Sequence, residues 1–245
     1  MSAAADSAEL AAMVERRAAG LPLEQVVGWA EFCGRRIAVD PGVFVPRKRT
    51  EFLVEKAVAL LGGSAGGQRV VVDLCCGSGA VGVAVAAGAG LVELHAADVD
   101  PVAVRCARRN VEPVGGHVYH GDLFEPLPRR LAGRIDLLVA NVPYVPSKEV
   151  ALLPAEARLH EPRVALDGGA DGLDVLRRAA ACAPDWLAPC GWVLAEVSDR
   201  QADAASRIAV SAGLAARVLA STETAASVLV ARHSLADAGV VKWRS

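Results

Sequence analysis

No uninterrupted apolar run in this 245-residue chain approaches the roughly 18–20 residues that a membrane-spanning helix needs. Hydrophobic residues still make up 53% of it, and mean hydropathy is +0.33. Alanine, valine and leucine supply most of that content; aromatics reach only 4%, and Gly, Asp or Arg interrupt every apolar stretch. No basic segment followed by an apolar one stands at the N-terminus, so no signal peptide is expected and the chain reads as soluble and cytoplasmic. Excess positive charge is missing too. With 26 basic against 28 acidic residues the net charge is −2, which excludes a protein that holds nucleic acid mainly by electrostatics. The pairs and triplets Arg35-Arg36 and Arg47-Lys48-Arg49 read as solvated loop charges. The six cysteines lack CxxC spacing and a nearby histidine pair, so no metal site is expected and they read as small buried hydrophobes. No internal repeat is evident.

What remains is a chain long enough to bury one main core with a small appendage. Residues 6–19 pattern as a short amphipathic helix, capped by Asp6 or Ser7 and stopped by Gly20 and Pro22. Two strand-like runs flank Cys33-Gly34, a hairpin signal. Thr50 is expected to cap a helix over 51–61. The glycine-rich stretch 62–68 reads as a linker between a small N-terminal helix and hairpin subdomain (1–61) and a larger domain (69–233), with 234–245 as a tail. From residue 69 strand and helix alternate: strands at 70–74, 91–97, 117–120, 135–140 and 191–197, helices at 79–87, 101–110, 173–187 and 200–212, and a closing antiparallel hairpin from 216–220 and 227–231. Repeated βα units imply an α/β fold with a parallel, doubly wound sheet.

In such sheets ligands sit outside the carboxyl ends of the strands, and chemistry-bearing residues collect there. The first strand carries Asp73 near its end, followed by Cys75 and the glycines Gly77, Gly79 and Gly82. The glycines let the backbone approach a ligand and formally spell GxGxxG. Asp73 just ahead of them would oppose a pyrophosphate but suits the ammonium of an amino-acid-bearing cofactor, such as S-adenosylmethionine; as an alternative it caps the loop. The second strand ends at Asp98-Val99-Asp100, where Asp98 can accept hydrogen bonds from ribose hydroxyls and Asp100 caps the helix at Pro101. Asp122-Leu123 after the third strand can bind an adenine amino group beside an apolar wall, or form a turn. The fourth strand, almost wholly apolar, breaks into Asn141-Val142-Pro143-Tyr144. An amide nitrogen is a poor nucleophile because its lone pair is delocalised. Acceptors on its two hydrogens, the Asn141 oxygen and a backbone carbonyl of the turn, would orient it, and Tyr144 could stack on the flat group.

These motifs resemble the class I S-adenosylmethionine-dependent methyltransferases, and within them the protein N(5)-glutamine methyltransferases of the PrmC/HemK type, which methylate the Gly-Gly-Gln glutamine of peptide release factors. The resemblance spans roughly residues 16–232 and rests on segments 16–51, 73–82, 98–104, 121–127, 161–174 and 195–201 together with Asn141-x-Pro143-Tyr144. It implies a Rossmann-like fold: a seven-stranded, mostly parallel sheet with a C-terminal antiparallel hairpin. It also implies S-adenosylmethionine as cofactor, held by Asp73, Cys75, Gly77, Gly79, Asp98, Val99, Asp122, Leu123 and Asn141. Catalysis falls to Asn141, Val142, Pro143 and Tyr144, and Arg47 and Glu161 join Asn141 and Tyr144 around the acceptor.

Two departures stand out. The family tetrad is Asn-Pro-Pro-Tyr and here its second residue is Val142, which Pro143 still biases to extended conformations. The family also carries an N-terminal helical domain that helps grip the release factor, whereas about fifteen residues precede the match here. The expected activity is therefore N-methylation of a glutamine amide in a protein such as a release factor, or alternatively of an amide or amine in a small molecule or peptide. DNA adenine methylation, an NAD-dependent oxidoreductase built on the formal GxGxxG, and an inactive cofactor-binding protein are the competing readings.

Overall fold

A computed structural model describes residues 7–62 and 67–233. The chain opens with α1 (Ser7–Ala18) and α2 (Leu23–Val27), then a hairpin of β1 (Trp29–Phe32) and β2 (Arg35–Ala38), and α3 (Glu51–Gly62). There follow β3 (Arg69–Leu74), α4 (Ala80–Ala89), β4 (Val92–Asp98), α5 (Pro101–Val111), β5 (His117–His120) and β6 (Ile135–Ala140). The chain closes with α6 (Ala155–His160), α7 (Asp174–Trp186), β7 (Leu187–Val197), α8 (Ala202–Ser211), β8 (Leu214–Ser221) and β9 (Ala226–His233). Asp6, residues 63–66 of the expected linker and the expected tail at 234–245 lie outside the described residues.

Seven strands form one sheet in the order β5-β4-β3-β6-β7-β9-β8. The five from β5 to β7 are parallel, and β9 and β8 close the edge antiparallel. This is the seven-stranded, mostly parallel sheet with a C-terminal hairpin that the sequence implied. Alternate residues serve opposite faces, as the two-residue period of a strand requires. Val71, Leu137 and Val139 join one buried cluster, while Val70, Val72, Leu138 and Ala140 join the other. Strand order reverses about β3, with β4 on one side and β6 on the other, which opens a crevice at their carboxyl ends.

The N-terminal hairpin turns through Cys33 and Gly34, both at positive φ (50° and 70°), the backbone a two-residue hairpin turn prefers. Its Phe32 and Ile37 pack into the same buried cluster as α3 and α4. Asn110 on α5 ties it to the glycine loop: its amide donates to the Ala38 and Ser78 carbonyls (3.0 and 2.8 Å) and its oxygen accepts from Ala38 N–H (2.9 Å). One wall of the crevice is thereby fixed to the sheet.

Four elements depart from the sequence reading: the start of α3, strand β7 and the helices α2 and α6. Thr50 does not cap α3. It ends a 3₁₀ turn over Lys48–Thr50, so its backbone is already turned rather than extended as an N-cap requires, and its hydroxyl donates to Glu196 at 2.6 Å. Strand β7 begins at Leu187, before Pro189 and Gly191, because Leu187 pairs with Ile135 and Trp192 with Leu137, leaving the intervening residues as a bulge. Two short helices, α2 and α6, lack the length for a visible helical period.

Candidate functional site

The carboxyl ends of β3, β4 and β6 open into a cleft of about 700 Å³. The site residues singled out from the sequence line it, except Gly79 and Gly82. Gly79 sits behind the wall at the N-terminus of α4, with φ at 78°, where a Cβ would meet the Val111 side chain at 2.6 Å. Its role is to let the loop turn into the helix.

In the half formed by β3 and β4, the loop is built from left-handed backbone at Cys75 (φ 55°) and Gly77 (φ 55°). Cys75 is not a glycine, so its conformation is strained and is held by the surrounding structure. Asp98 receives the Gly77 N–H at 2.8 Å and the Asp100 N–H at 2.9 Å. These bonds set the loop against the end of β4 and leave lone pairs on the carboxylate free for a ligand hydroxyl. Asp100 caps α5 as expected, accepting from Val102 N–H at 2.8 Å. Asp73 is almost wholly buried and accepts the Gly82 N–H at 2.8 Å. Its carboxyl is pushed up to about 7, chiefly by burial, against the Gly82 hydrogen bond and with a further push from Asp98. The loop-holding bond and a place in the cleft lining thus coincide in one side chain. Burial likewise raises Asp98 above the usual carboxylate range. Val99 and Leu123 supply apolar walls, Leu123 from a left-handed conformation (φ 47°). Asp122 forms an ion pair with Arg178 of α7, also in the cleft lining.

At the end of β6, the turn 141–144 is held from several directions. The Val145 N–H donates to Leu166 O (3.0 Å) and the Gly168 N–H to Val145 O (2.9 Å). The loop at 166–172 therefore lies along the turn, and its glycines are required by the approach: a Cβ on Gly168 would stand 2.5 Å from Pro143 O, and one on Gly172 2.2 Å from Tyr144 O. The Tyr144 hydroxyl donates to Glu196 at 3.0 Å and also meets Arg49, and burial raises the phenol well above its ordinary range. Asn141 is only half-buried, and among the described residues its side chain has no hydrogen-bond partner, nor does the Val142 carbonyl. The Asn141 oxygen and the Val142 carbonyl are therefore left unengaged, beside a Tyr144 whose hydroxyl and carbonyl are both occupied.

Arg47 and Glu161 are brought together rather than set separately around an acceptor. The guanidinium donates to both carboxylate oxygens (2.6 and 2.7 Å), and Glu161 also accepts Val45 N–H at 3.1 Å. Glu161 is buried and pushed up by that burial, with Arg47 pulling in the opposite sense. Arg47 is thus fixed at the rim, over the Phe44 ring.

Sequence reasoning missed Arg49, Arg178, Glu196 and Gln201. Glu196 carried a signal: an acid inside an otherwise apolar strand must find donors or neutralise. Gln201 carried one also, since Ser198 and Gln201 have the spacing of a capping box. Arg178 looks like any other exposed helical arginine. Among the described residues no cluster of three or more His, Cys, Asp or Glu side chains could hold a metal ion, and no helix is long and apolar enough to cross a membrane.

Comparison with known proteins places these features in context. Residues 35–181 match the family described as methyltransferase small domain. The release factor glutamine methyltransferase of Geobacter sulfurreducens is 40% identical over 200 residues, covering 80% of this chain and 68% of that protein. The one from Bordetella pertussis is 39% identical over 204 residues, covering 82% and 74%, and the one from Xylella fastidiosa 37% identical over 217 residues, covering 87% and 77%. The chain thus spans about two thirds to three quarters of these relatives. Among solved structures, a methyltransferase from Pyrococcus furiosus superposes with a TM-score of 0.57 at 16% identity, covering 94% of this chain and all of that one. A ribosomal protein L11 methylase from Lactobacillus delbrueckii subsp. bulgaricus does so with 0.56 at 16% identity, covering 81% and 86%. At that identity the likeness is one of fold.

Proposed function

The chain belongs to the release factor glutamine methyltransferase family and carries its methyltransferase domain, and on that premise we propose that it methylates the side-chain amide nitrogen of a glutamine in a protein substrate, a peptide release factor, from S-adenosylmethionine. Membership in a methyltransferase family removes the oxidoreductase reading of the glycine loop. The observation that carries the proposal is the pair of unengaged acceptors, the Asn141 side-chain oxygen and the Val142 carbonyl, in the turn that ends β6.

The donor set suits the cofactor. Asp98 offers acceptor lone pairs to ribose hydroxyls, Val99 and Leu123 flank a planar base, and Asp73 presents a carboxylate where a phosphate would be repelled and an ammonium attracted. When bound, S-adenosylmethionine supplies a methyl group on a positively charged sulfur. The chain's own task is to present the acceptor. A primary amide has two N–H donors; the Asn141 oxygen and the Val142 carbonyl accept them, which fixes the plane of the amide and favours a pyramidal nitrogen whose lone pair is available. The Tyr144 ring, locked by its hydroxyl, forms the wall. Both arginines at this end are matched to buried carboxylates, Arg47 to Glu161 and Arg49 to Glu196, so the cleft meets a neutral amide without an excess of charge.

The direct test is incubation of the full chain with S-adenosylmethionine and a release factor, followed by mass spectrometry of the peptide bearing Gly-Gly-Gln. Gain of one methyl on that glutamine is the expected result. A methyl elsewhere, or none while calorimetry shows the cofactor bound, would move the acceptor to another amide or amine.

Cofactor affinity is also expected to depend on pH through Asp73. The free protein keeps this carboxyl protonated up to about pH 7, whereas an ammonium partner favours the ionised form. Affinity therefore rises with pH towards about 7, by up to about tenfold per unit, and levels off above it. Calorimetry between about pH 5.5 and 8.5 should show that slope in the native chain and its loss in Asp73→Asn.

A further inference from the structure

Glu196 and Gln201 lie where β7 ends, and neither touches the unengaged acceptors of the turn. Both reach Tyr144, at opposite ends of the residue. Glu196, only 2% exposed, accepts three donors: the Tyr144 hydroxyl (3.0 Å) and Arg49 Nε (2.9 Å) at one oxygen, and the Thr50 hydroxyl (2.6 Å) at the other. The Arg49 guanidinium lies over the Tyr144 ring, 5.7 Å from its centroid. Gln201, 7% exposed, donates from its amide to the Tyr144 carbonyl (2.9 Å) and the Asp171 carbonyl (3.0 Å), while its oxygen is taken up by Ser198 (2.7 Å). The end of β7 and the turn after it therefore grip Tyr144 by ring and by backbone.

We propose that Glu196 and Gln201 are positioning residues for methyl transfer, which aim the Asn141 oxygen and the Val142 carbonyl by clamping Tyr144 at both ends. This deepens the amide-clamp reading above and rests on it. The need for such a clamp follows from the turn itself. Pro143 restrains one peptide unit, but Val142 has no ring, so the direction of its carbonyl depends on where the chain is next anchored. That anchor is Tyr144, two residues on. A fixed carbonyl matters because a displacement of about 1 Å at a reacting group can cost on the order of a hundredfold in rate. The carboxylate is also the right group for the ring end, since it can accept from a phenol and a guanidinium together, and a neutral amide cannot replace it without leaving a donor unmatched.

The test uses the full chain and its Glu196→Gln, Gln201→Ala and Tyr144→Phe variants, with kcat and KM measured on a release factor and cofactor affinity measured by calorimetry. Each variant is expected to lower kcat by on the order of tenfold or more while cofactor affinity stays within about twofold. In the Tyr144→Phe background most of the Glu196→Gln loss should vanish, because the hydroxyl it acts through is gone. Full kcat in Tyr144→Phe, an undiminished Glu196→Gln effect in that background, or equal falls in kcat, cofactor affinity and melting temperature would overturn the proposal. A second readout does not need turnover. The chain has two tyrosines, so 3-fluorotyrosine labelling gives two lines in fluorine NMR, Tyr119 and Tyr144. Glu196→Gln is expected to shift the Tyr144 line and bring its titration down toward the ordinary range. If native protein methylates no glutamine, the amide reading fails, and the clamp is then decided by that line: its failure to move would overturn the clamp as well.

Discussion

Asn141→Ala is expected to lower turnover by about a hundredfold to a thousandfold while leaving cofactor affinity within about twofold. The size follows from the role assigned to the side-chain oxygen, an acceptor aimed at a group that becomes reactive only when it is held. The selectivity follows from the structure. The Asn141 side chain has no hydrogen-bond partner among the described residues, so its removal strands no buried donor or acceptor, and the fold should lose no more than about 0.5 kcal/mol. Asn141→Asp keeps an acceptor oxygen and is expected to retain more activity than the alanine variant. Initial rates on a release factor, with calorimetry and thermal melts on the same samples, separate the outcomes. Parallel losses in rate, cofactor affinity and stability would mark Asn141 as a structural turn residue.

Gly172→Ala is expected to do damage of a different kind. Gly172 has φ at 79°, and a Cβ there would lie 2.2 Å from the Tyr144 carbonyl oxygen and 2.5 Å from the Gln201 amide nitrogen. A side chain in the left-handed region costs roughly 1–2 kcal/mol by itself. The overlap adds to this, because neither neighbour is a free end: the carbonyl belongs to the turn and the amide holds it. Relief requires Tyr144 to move, carrying the Val142 carbonyl with it. A stability loss of about 2–4 kcal/mol together with a fall in kcat of tenfold or more is expected. Gly213→Ala is the control. Its φ is 82° but a Cβ there meets nothing within 4 Å, so it bears the backbone cost alone and should keep full kcat. If the two variants lost stability and activity alike, the close packing of the loop at 166–172 on the turn would not matter to function.

The βα alternation was readable because each parallel strand is a short apolar run ended by a polar or glycine-rich turn, and Asp100, the Cys33-Gly34 hairpin and the antiparallel closing pair all carried local signals that the structure repeats. The strand ends also named the cleft: Asp73, Asp98, Asp122 and Asn141 lie at or just past the carboxyl ends of β3, β4, β5 and β6, and the sheet brings these ends together without further instruction. Family resemblance rested on the same residues. Local pattern failed where a residue's partner lies far along the chain. Thr50 reads as a helix cap, but it closes a 3₁₀ turn instead and its hydroxyl donates to a carboxylate 146 positions away. Arg47 and Glu161 both line the cleft, and nothing local shows that they also pair with one another across 114 residues. The strand read from 191 begins earlier, at Leu187, because nothing local shows that Leu187 will pair with Ile135.

The turn at 141–144 shows the same division. Its residue types, an amide, a restrained proline and an aromatic after a buried strand, were enough to mark a holder of a flat polar group. How the turn is held was decided only in three dimensions, by Glu196 at the Tyr144 hydroxyl, Gln201 at the Tyr144 carbonyl and the two loop glycines that let the neighbouring loop lie against it. Composition and period set the strands because those depend on neighbours two to four residues away. The aim of the turn depends on hydrogen bonds that exist only once the sheet has closed.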